Sequence, residues 1–382
     1  MPITFPHFGS LTYVFESLVK ELGRTDVILP KPPSRKTAQL GARYGPEYIC
    51  TPFKMTLGTF IESLEKGADE LAIGGCQAYC RFGYYWPVQK LILEDLGYKF
   101  RFIHIDYDHP LEILRTLKKE ISNNYSYAQT LRAARITWLK NRLTDLVDEL
   151  LYKYRALEVE KGLAERVAHK CYRKIVALEG AKAIRKYQKI LPDIFVSEIE
   201  IRNESNPLRV MINGEIYVVL EPSLNVNVHK RMNELGVVTK SPTTLRRFYD
   251  LGQKWNPFKL MDYKIADKMA KPYIAHRCGG EAQEAIGETI IYKKQGFDGV
   301  IHLYPFTCLP HIASKNILPQ ISRLYDIPVL SLVVDEQTGE AGFQTRLEAF
   351  VDLLARKRKY PSRKGKDLMP ETMQNNPVSL VK

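Results

Sequence analysis

The chain holds six cysteines, at positions 50, 76, 80, 171, 278 and 308. Cys76 and Cys80 stand four apart in GGCQAYCRFGYY, between an apolar run and a helix-like one. Thiols so placed can ligate a metal or cluster, form a redox pair, or simply pack. A thioredoxin-type pair and a tight structural zinc site both want CxxC, which occurs nowhere in the chain. Cys50 in ICTPFK, Cys80 and Cys308 in PFTCLP are each followed by a helical pattern. In an open parallel sheet, strand-to-helix loops lie at the carboxyl edge, where ligands collect. The positive end of a helix also lowers a thiol's pKa there. Three thiolates meeting in one cleft would suit zinc with an open position or an iron–sulfur cluster. Unrelated buried thiols are the alternative.

The elements that must position these thiols can be read from periodicity. PITFPHFG, TDVILP, ELAIGG and KFRFIHID read as strands. LTYVFESLVKELG, a segment from about Pro52 to Lys66, and YWPVQKLILEDLG read as helices. From Pro110 to about Ile190 the pattern is helical throughout, with a loop at NNYS and a break at Lys161–Gly162. Cys171 falls on an apolar stripe of this segment and reads as a small buried hydrophobe. Alternation then resumes. LRVMINGEIYVVL suggests a strand pair turning at Asn213–Gly214, and NVNVHKRMNELG, EAIGETIIYKKQG, ILPQISRLYD and TRLEAFVDLLARKR suggest helices. GVIHLYPF and VLSLVVD are strands.

The segment from Asp69 to Asp106 can be laid on that from Asp298 to Asp335: strand, cysteine, helix, strand, aspartate. Two tandem α/β units, each with a cysteine at a strand-to-helix turn, explain the match. The expected organisation is an α/β domain over 1–110, a helical insertion over 111–190, a second α/β domain over 191–355, and a disordered basic tail over 356–382.

Composition bounds the function. The net charge of +13 is concentrated in the helical stretch, net +9 over 111–190, and in the tail, net +6 over 356–382. These cations are interleaved with acids, which favours solubility or an acidic protein partner over nucleic acid. No apolar run is long enough to span a membrane, and the N-terminus lacks the charge and cleavage pattern of a secretory signal. A reducing cytoplasm is therefore expected. There is no P-loop, so an ATP-driven step would need a partner.

The segments TFPHFGSLTYVF, LGARYGPEYICTPFKMTLGTFIESLEKGAD, CRFGYYWPVQKLILEDLGY, GEIYVVLEPSLN, GFDGVIHLYPFTCLP and DEQTGEAGFQTRLEAFVDLL carry a resemblance. They are similar to the acyl-CoA dehydratase activase-related proteins (CoA protein activases), relatives of the 2-hydroxyglutaryl-CoA dehydratase D-component. The resemblance implies Rossmann-like, doubly wound α/β domains and a [4Fe–4S] cluster. It also implies low-potential electron transfer with an ATPase activator of the BadF/BcrA type, in anaerobic metabolism. It places cluster ligation on Cys50, Cys80 and Cys308; Cys76 is a departure from the family pattern and a weaker ligand candidate. Alternatives are a catalytic 2-hydroxyacyl-CoA dehydratase subunit, with an acyl-CoA substrate and a homo- or heterodimer, and a binding protein without a cluster. Four residues near the motifs have two readings each. His7 is a cluster neighbour or a hydrogen-bonded loop histidine. Lys54 and Arg81 neutralise an anion or anchor structure. Glu340 is an acid or base near substrate, or holds its loop. Cys278, beside Gly279–Gly280, reads as a free thiol.

Overall fold

A computed structural model describes residues 1–75, 80–106, 109–245 and 262–360. Strand β1 (Ile3–Thr4) is followed by helices α1 (Leu11–Glu21), α2 (Arg35–Tyr44) and α3 (Thr51–Leu64). Strand β2 (Glu70–Gly75), helix α4 (Tyr85–Asp95) and strand β3 (Arg101–Asp106) complete a three-stranded parallel sheet, ordered β1-β2-β3. TDVILP contributes a single bridge, Val27 to Ile3, rather than a strand. Helix α2 escapes the sequence reading although it opens on a capping box: Ser34 and Thr37 exchange side-chain and backbone bonds.

The helical stretch comprises α5 (Pro110–Thr116) with a π-turn over Leu117–Ile121, then α6 (Tyr127–Leu157), α7 (Leu163–Ala177) and α8 (Gly180–Glu198). It runs to Glu198, beyond the expected end near Ile190. Gly162, at φ 82°, makes the break before α7, and Cys171 is buried in the helical core beside Val167 and Ile175. Helix α6 touches both flanks. On one side Ser10 Oγ donates to Asp148 at 2.8 Å. On the other, Tyr152 stacks on His229 with ring centroids 3.9 Å apart.

The second sheet begins at β4 (Arg209–Gly214), followed by α9 (Ile216–Leu220), α10 (Val228–Glu234) and β5 (Val238–Lys240). Then come α11 (Asp262–Ala270), α12 (Ala282–Lys294), β6 (Gly299–Pro305), α13 (Leu309–Leu324), β7 (Val329–Val334) and α14 (Glu340–Lys359). All four strands are parallel, ordered β5-β4-β6-β7. Every residue of β6 is buried, as expected of a parallel strand covered on both faces.

The expected strand pair at Asn213–Gly214 is wrong. Gly214 ends β4 and Glu215 caps α9, accepting from the Val218 N–H at 2.9 Å. The glycine is there for close approach, because a Cβ on it would lie 1.7 Å from the Leu303 carbonyl oxygen of β6. The tail also begins later than expected, since residues 356–359 finish α14; the rest of it, 361–382, lies outside the described residues.

The order of elements repeats along the chain. β2–α4–β3 corresponds to β6–α13–β7, and the turns that end α4 and α13 both pass through a left-handed residue, Gly97 at φ 85° and Asp326 at φ 48°. The two sheets also share packing. Ala38 and Met55, from α2 and α3, belong to the same apolar cluster as Ile212, Tyr217 and Leu303 of the second sheet.

Candidate functional site

Each of the three motif cysteines occupies the residue before a helix. Cys50 precedes α3, Cys80 the 3₁₀ turn Arg81–Tyr84 that leads into α4, and Cys308 precedes α13. Prolines at the second positions of α3 and α13 favour these starts, since their missing N–H has no helical partner to lose. Cys80 and Cys308 follow strands at the carboxyl edges of the two sheets. Cys50 joins them because the start of α3 rests on the end of β7, where Thr51 Oγ1 donates to the Val334 carbonyl at 3.4 Å.

The three thiols act on one another. The charges that perturb Cys308 include Cys80 and Cys50, and those that perturb Cys80 include Cys50. Two carboxyl groups belong to the same set, Glu215 at the end of β4 and Glu281 just before α12. Burial and then Glu281 push Glu215 up to about 8. Burial, Glu281 and Glu215 push Cys80 up to about 12, and burial and Glu215 push Cys308 up strongly. Cys50 is also raised by burial, although the Tyr85 hydroxyl, 2.7 Å from its sulfur, and Arg81 draw it back down. The expected lowering by helix N-termini is thus reversed. Desolvation outweighs the helix-end field where the thiol is withdrawn from water.

Below Cys308 runs a buried chain of polar groups. Glu281 Oε2 lies 3.4 Å from His311 Nε2, His311 Nδ1 lies 3.0 Å from His302 Nε2, and Ser314 Oγ lies 3.3 Å from that same nitrogen. With Glu281 accepting from His311 Nε2, His311 Nδ1 is left to accept from His302 Nε2. Burial, followed by His311, holds the His302 pKa well below its usual value, so that ring is neutral.

The remaining candidates have structural partners. His7 Nδ1 meets Glu221 Oε2 at 2.6 Å, and the same carboxylate accepts from the Gly9 N–H at 2.9 Å. His7 is therefore the hydrogen-bonded loop histidine. Lys54, nearly fully buried, donates to Glu336 Oε1 at 2.5 Å across a cleft of about 270 Å³ that also exposes Tyr48, Phe306 and Asp335. Arg81 bonds to backbone carbonyls: Nη1 to Tyr48 at 3.0 Å and Nη2 to Thr307. Glu340 has a partner at the surface. It is the first residue of α14, its side chain is 77% exposed, and it pairs with Arg231 at 2.6 Å. Cys278 is half-buried, and Cys76 lies outside the described residues.

Among the described residues, no three His, Cys, Asp or Glu side chains gather round a point that would hold a single ion. Among the described residues, no helix is long and apolar enough to cross a membrane. Glu215, Glu281, Tyr85 and His311 were not singled out in the sequence. Two of them lie inside motif segments, in GEIYVV and CRFGYY, while His311 directly follows PFTCLP and Glu281 follows the Gly279–Gly280 turn.

No curated protein matches the chain. The family described as 2-hydroxyglutaryl-CoA dehydratase, D-component, matches residues 12–354, a span that takes in all three thiol loops, every strand after β1 and the helical stretch between the sheets. The chain belongs to that family.

Proposed function

We propose that the chain is a [4Fe–4S] electron-transfer component of a 2-hydroxyacyl-CoA dehydratase system, with the cluster held by Cys50, Cys80 and Cys308. The observation that carries this reading is the concentration of five acidic groups, three thiols and two carboxyls, at the meeting of two sheet edges. Buried groups that all lose a proton on ionising repel one another, so they favour either full protonation or a cationic centre among them. A cubane cluster spreads its ligands over separate corners, so it does not require them to converge on one ion, and thiolates are its usual donors. When bound, such a group would supply one-electron chemistry at low potential.

The chain's own residues would do the rest. Burial of Cys50 and Cys308 excludes water from the sulfurs, and Tyr85 donates to the Cys50 sulfur once it is ionised. Hydrogen bonds to ligand sulfur and exclusion of solvent are the protein's means of setting a cluster potential. Without a P-loop, the chain would take its electron from an ATP-hydrolysing activator of the BadF/BcrA type. We read the two sheets as tandem Rossmann-like domains, 1–110 and 191–355, with 111–190 as a helical insertion, in a cytoplasmic protein.

The second reading, a subunit that itself binds the acyl-CoA, is favoured by one observation, the polar cleft that opens beside Cys50. Iron, acid-labile sulfide and visible absorption, measured on anaerobically purified protein, test the first reading. About four irons and four sulfides per chain are expected, with loss in Cys50→Ala, Cys80→Ala and Cys308→Ala. A colourless wild type that the three variants match would refute it. Turnover of a 2-hydroxyacyl-CoA on adding activator and ATP, without a further subunit, would decide for the second.

A further inference from the structure

Arg81 follows Cys80 directly, and its guanidinium is committed to the backbones that carry the other two thiols. Nη1 donates to the carbonyl of Tyr48, two residues before Cys50. Nη2 donates to the carbonyl of Thr307, one residue before Cys308, and reaches its hydroxyl at 3.3 Å. Thr307 in turn donates from Oγ1 to the same Tyr48 carbonyl at 3.2 Å. Its backbone is left-handed, φ 67°, a conformation that a β-branched residue rarely adopts unless its surroundings impose it. A planar fork suits this task, because two N–H groups of fixed geometry can hold two acceptors at a fixed spacing.

We infer that Arg81 is the positioning residue of the three thiols: it clamps the Tyr48 and Thr307 carbonyls and so sets where Cys80 stands relative to Cys50 and Cys308. The inference rests on the reading that the three thiols form one centre, and is independent of what that centre holds. It also reassigns the arginine's charge, which is spent on peptide carbonyls rather than on a bound anion.

The test uses the full chain, purified anaerobically, stripped of metal with chelator and reductant, and treated with dibromobimane, a reagent that bridges neighbouring thiols. Peptide mapping then reports each bridged pair. Wild type should give bridges among Cys50, Cys80 and Cys308. In Arg81→Met the pairs that include Cys80 should fall at least fivefold. The Cys50–Cys308 pair should persist, because the Thr307–Tyr48 bond and the Thr51–Val334 bond still join those loops. Arg81→Lys, with one donor centre in place of a fork, should fall between the two and serves if the methionine variant does not fold. Unchanged pair yields would overturn the inference, as would equal loss of all three pairs, the mark of a general structural role. No bridges in wild type would overturn the single-centre reading and this inference with it. Iron loss without any change in bridging would instead place Arg81's effect on the bound group.

Discussion

The helix that presents Cys50 is held by a contact with no slack, and this makes the substitution Gly58→Ala informative. Helices α2 and α3 cross with reciprocal glycines. A Cβ on Gly58 would lie 2.1 Å from the Thr37 carbonyl oxygen, and one on Gly41 would lie 1.8 Å from that of Lys54. Both obstacles are backbone, so no rotamer change relieves them. To reach the 3.0 Å that real Cβ contacts respect, α3 must move by about 1 Å, the shortfall in the contact. It has little freedom to do so, since 13 of its 14 residues are buried. Overpacking of this kind costs ~1–3 kcal/mol, and clash with backbone places it at the upper end. Alanine's better helix propensity returns up to ~1 kcal/mol, so a net loss of about 2 kcal/mol is expected. Gly342 supplies the contrast. It lies in the first turn of α14 with nothing near its absent Cβ, so Gly342→Ala should gain roughly 0.5 kcal/mol. Urea unfolding followed by fluorescence measures both, with the slope of each transition checked for constancy. Gly58→Ala should also speed alkylation of Cys50, because displacing α3 uncovers that buried thiol. A Gly58→Ala protein as stable as Gly342→Ala would refute the close-crossing argument.

Three further outcomes are expected. Lys54 and Glu336 form a mostly buried pair across the cleft; either single truncation should cost about 2 kcal/mol, and a double-mutant cycle should return a coupling of at least ~1 kcal/mol, with additivity counting against the pair. Burial pushes Asp148 up to about 6 from 3.8, against the pull of its bonds from Tyr172 and Ser10. A carboxyl raised on folding contributes stability that is full below pH 4 and is lost as pH rises through 6. Asp148→Asn should therefore flatten the stability profile between pH 4 and 7 by on the order of 3 kcal/mol, and an unchanged slope would exclude Asp148 as its source. The Tyr85 hydroxyl lowers the Cys50 pKa, so Tyr85→Phe should move the pH midpoint of Cys50 alkylation upward while leaving Cys171 unchanged; a downward move would show that the bond does not favour the thiolate.

Much of this architecture could be read from periodicity and punctuation. ELAIGG and VLSLVVD are strands because their runs are apolar and short, and the match of Asp69–Asp106 to Asp298–Asp335 marks two strand-to-helix turns. The Asn213–Gly214 dipeptide misled for a physical reason. It is the commonest hairpin signal, but here the glycine answers to a neighbouring strand's carbonyl and the glutamate after it caps a helix. The placement of three cysteines ahead of helices was legible. Their pKa direction was not, since it depends on how much protein closes over each sulfur. Nor could the sequence join Glu281 to His311 and His302, or Arg81 to Tyr48 and Thr307, because those bonds cross between different elements whose relative placement only the fold decides.

The spacing of the thiols along the chain has a consequence for biosynthesis. Cys50 and Cys80 leave the ribosome first, and Cys308 follows only after more than 200 further residues. At about 5–20 residues per second, this leaves an interval on the order of 10–50 s in which the first two thiols exist without the third. During that time Arg81 has no Thr307 to clasp, and the apolar surface of α2 and α3 that later packs on the second sheet stands uncovered. A group that needs all three sulfurs can be inserted only after Cys308 has been made. The nascent chain in that window is a natural client for a holding chaperone and the stage at which oxidation of Cys50 or Cys80 would do most harm.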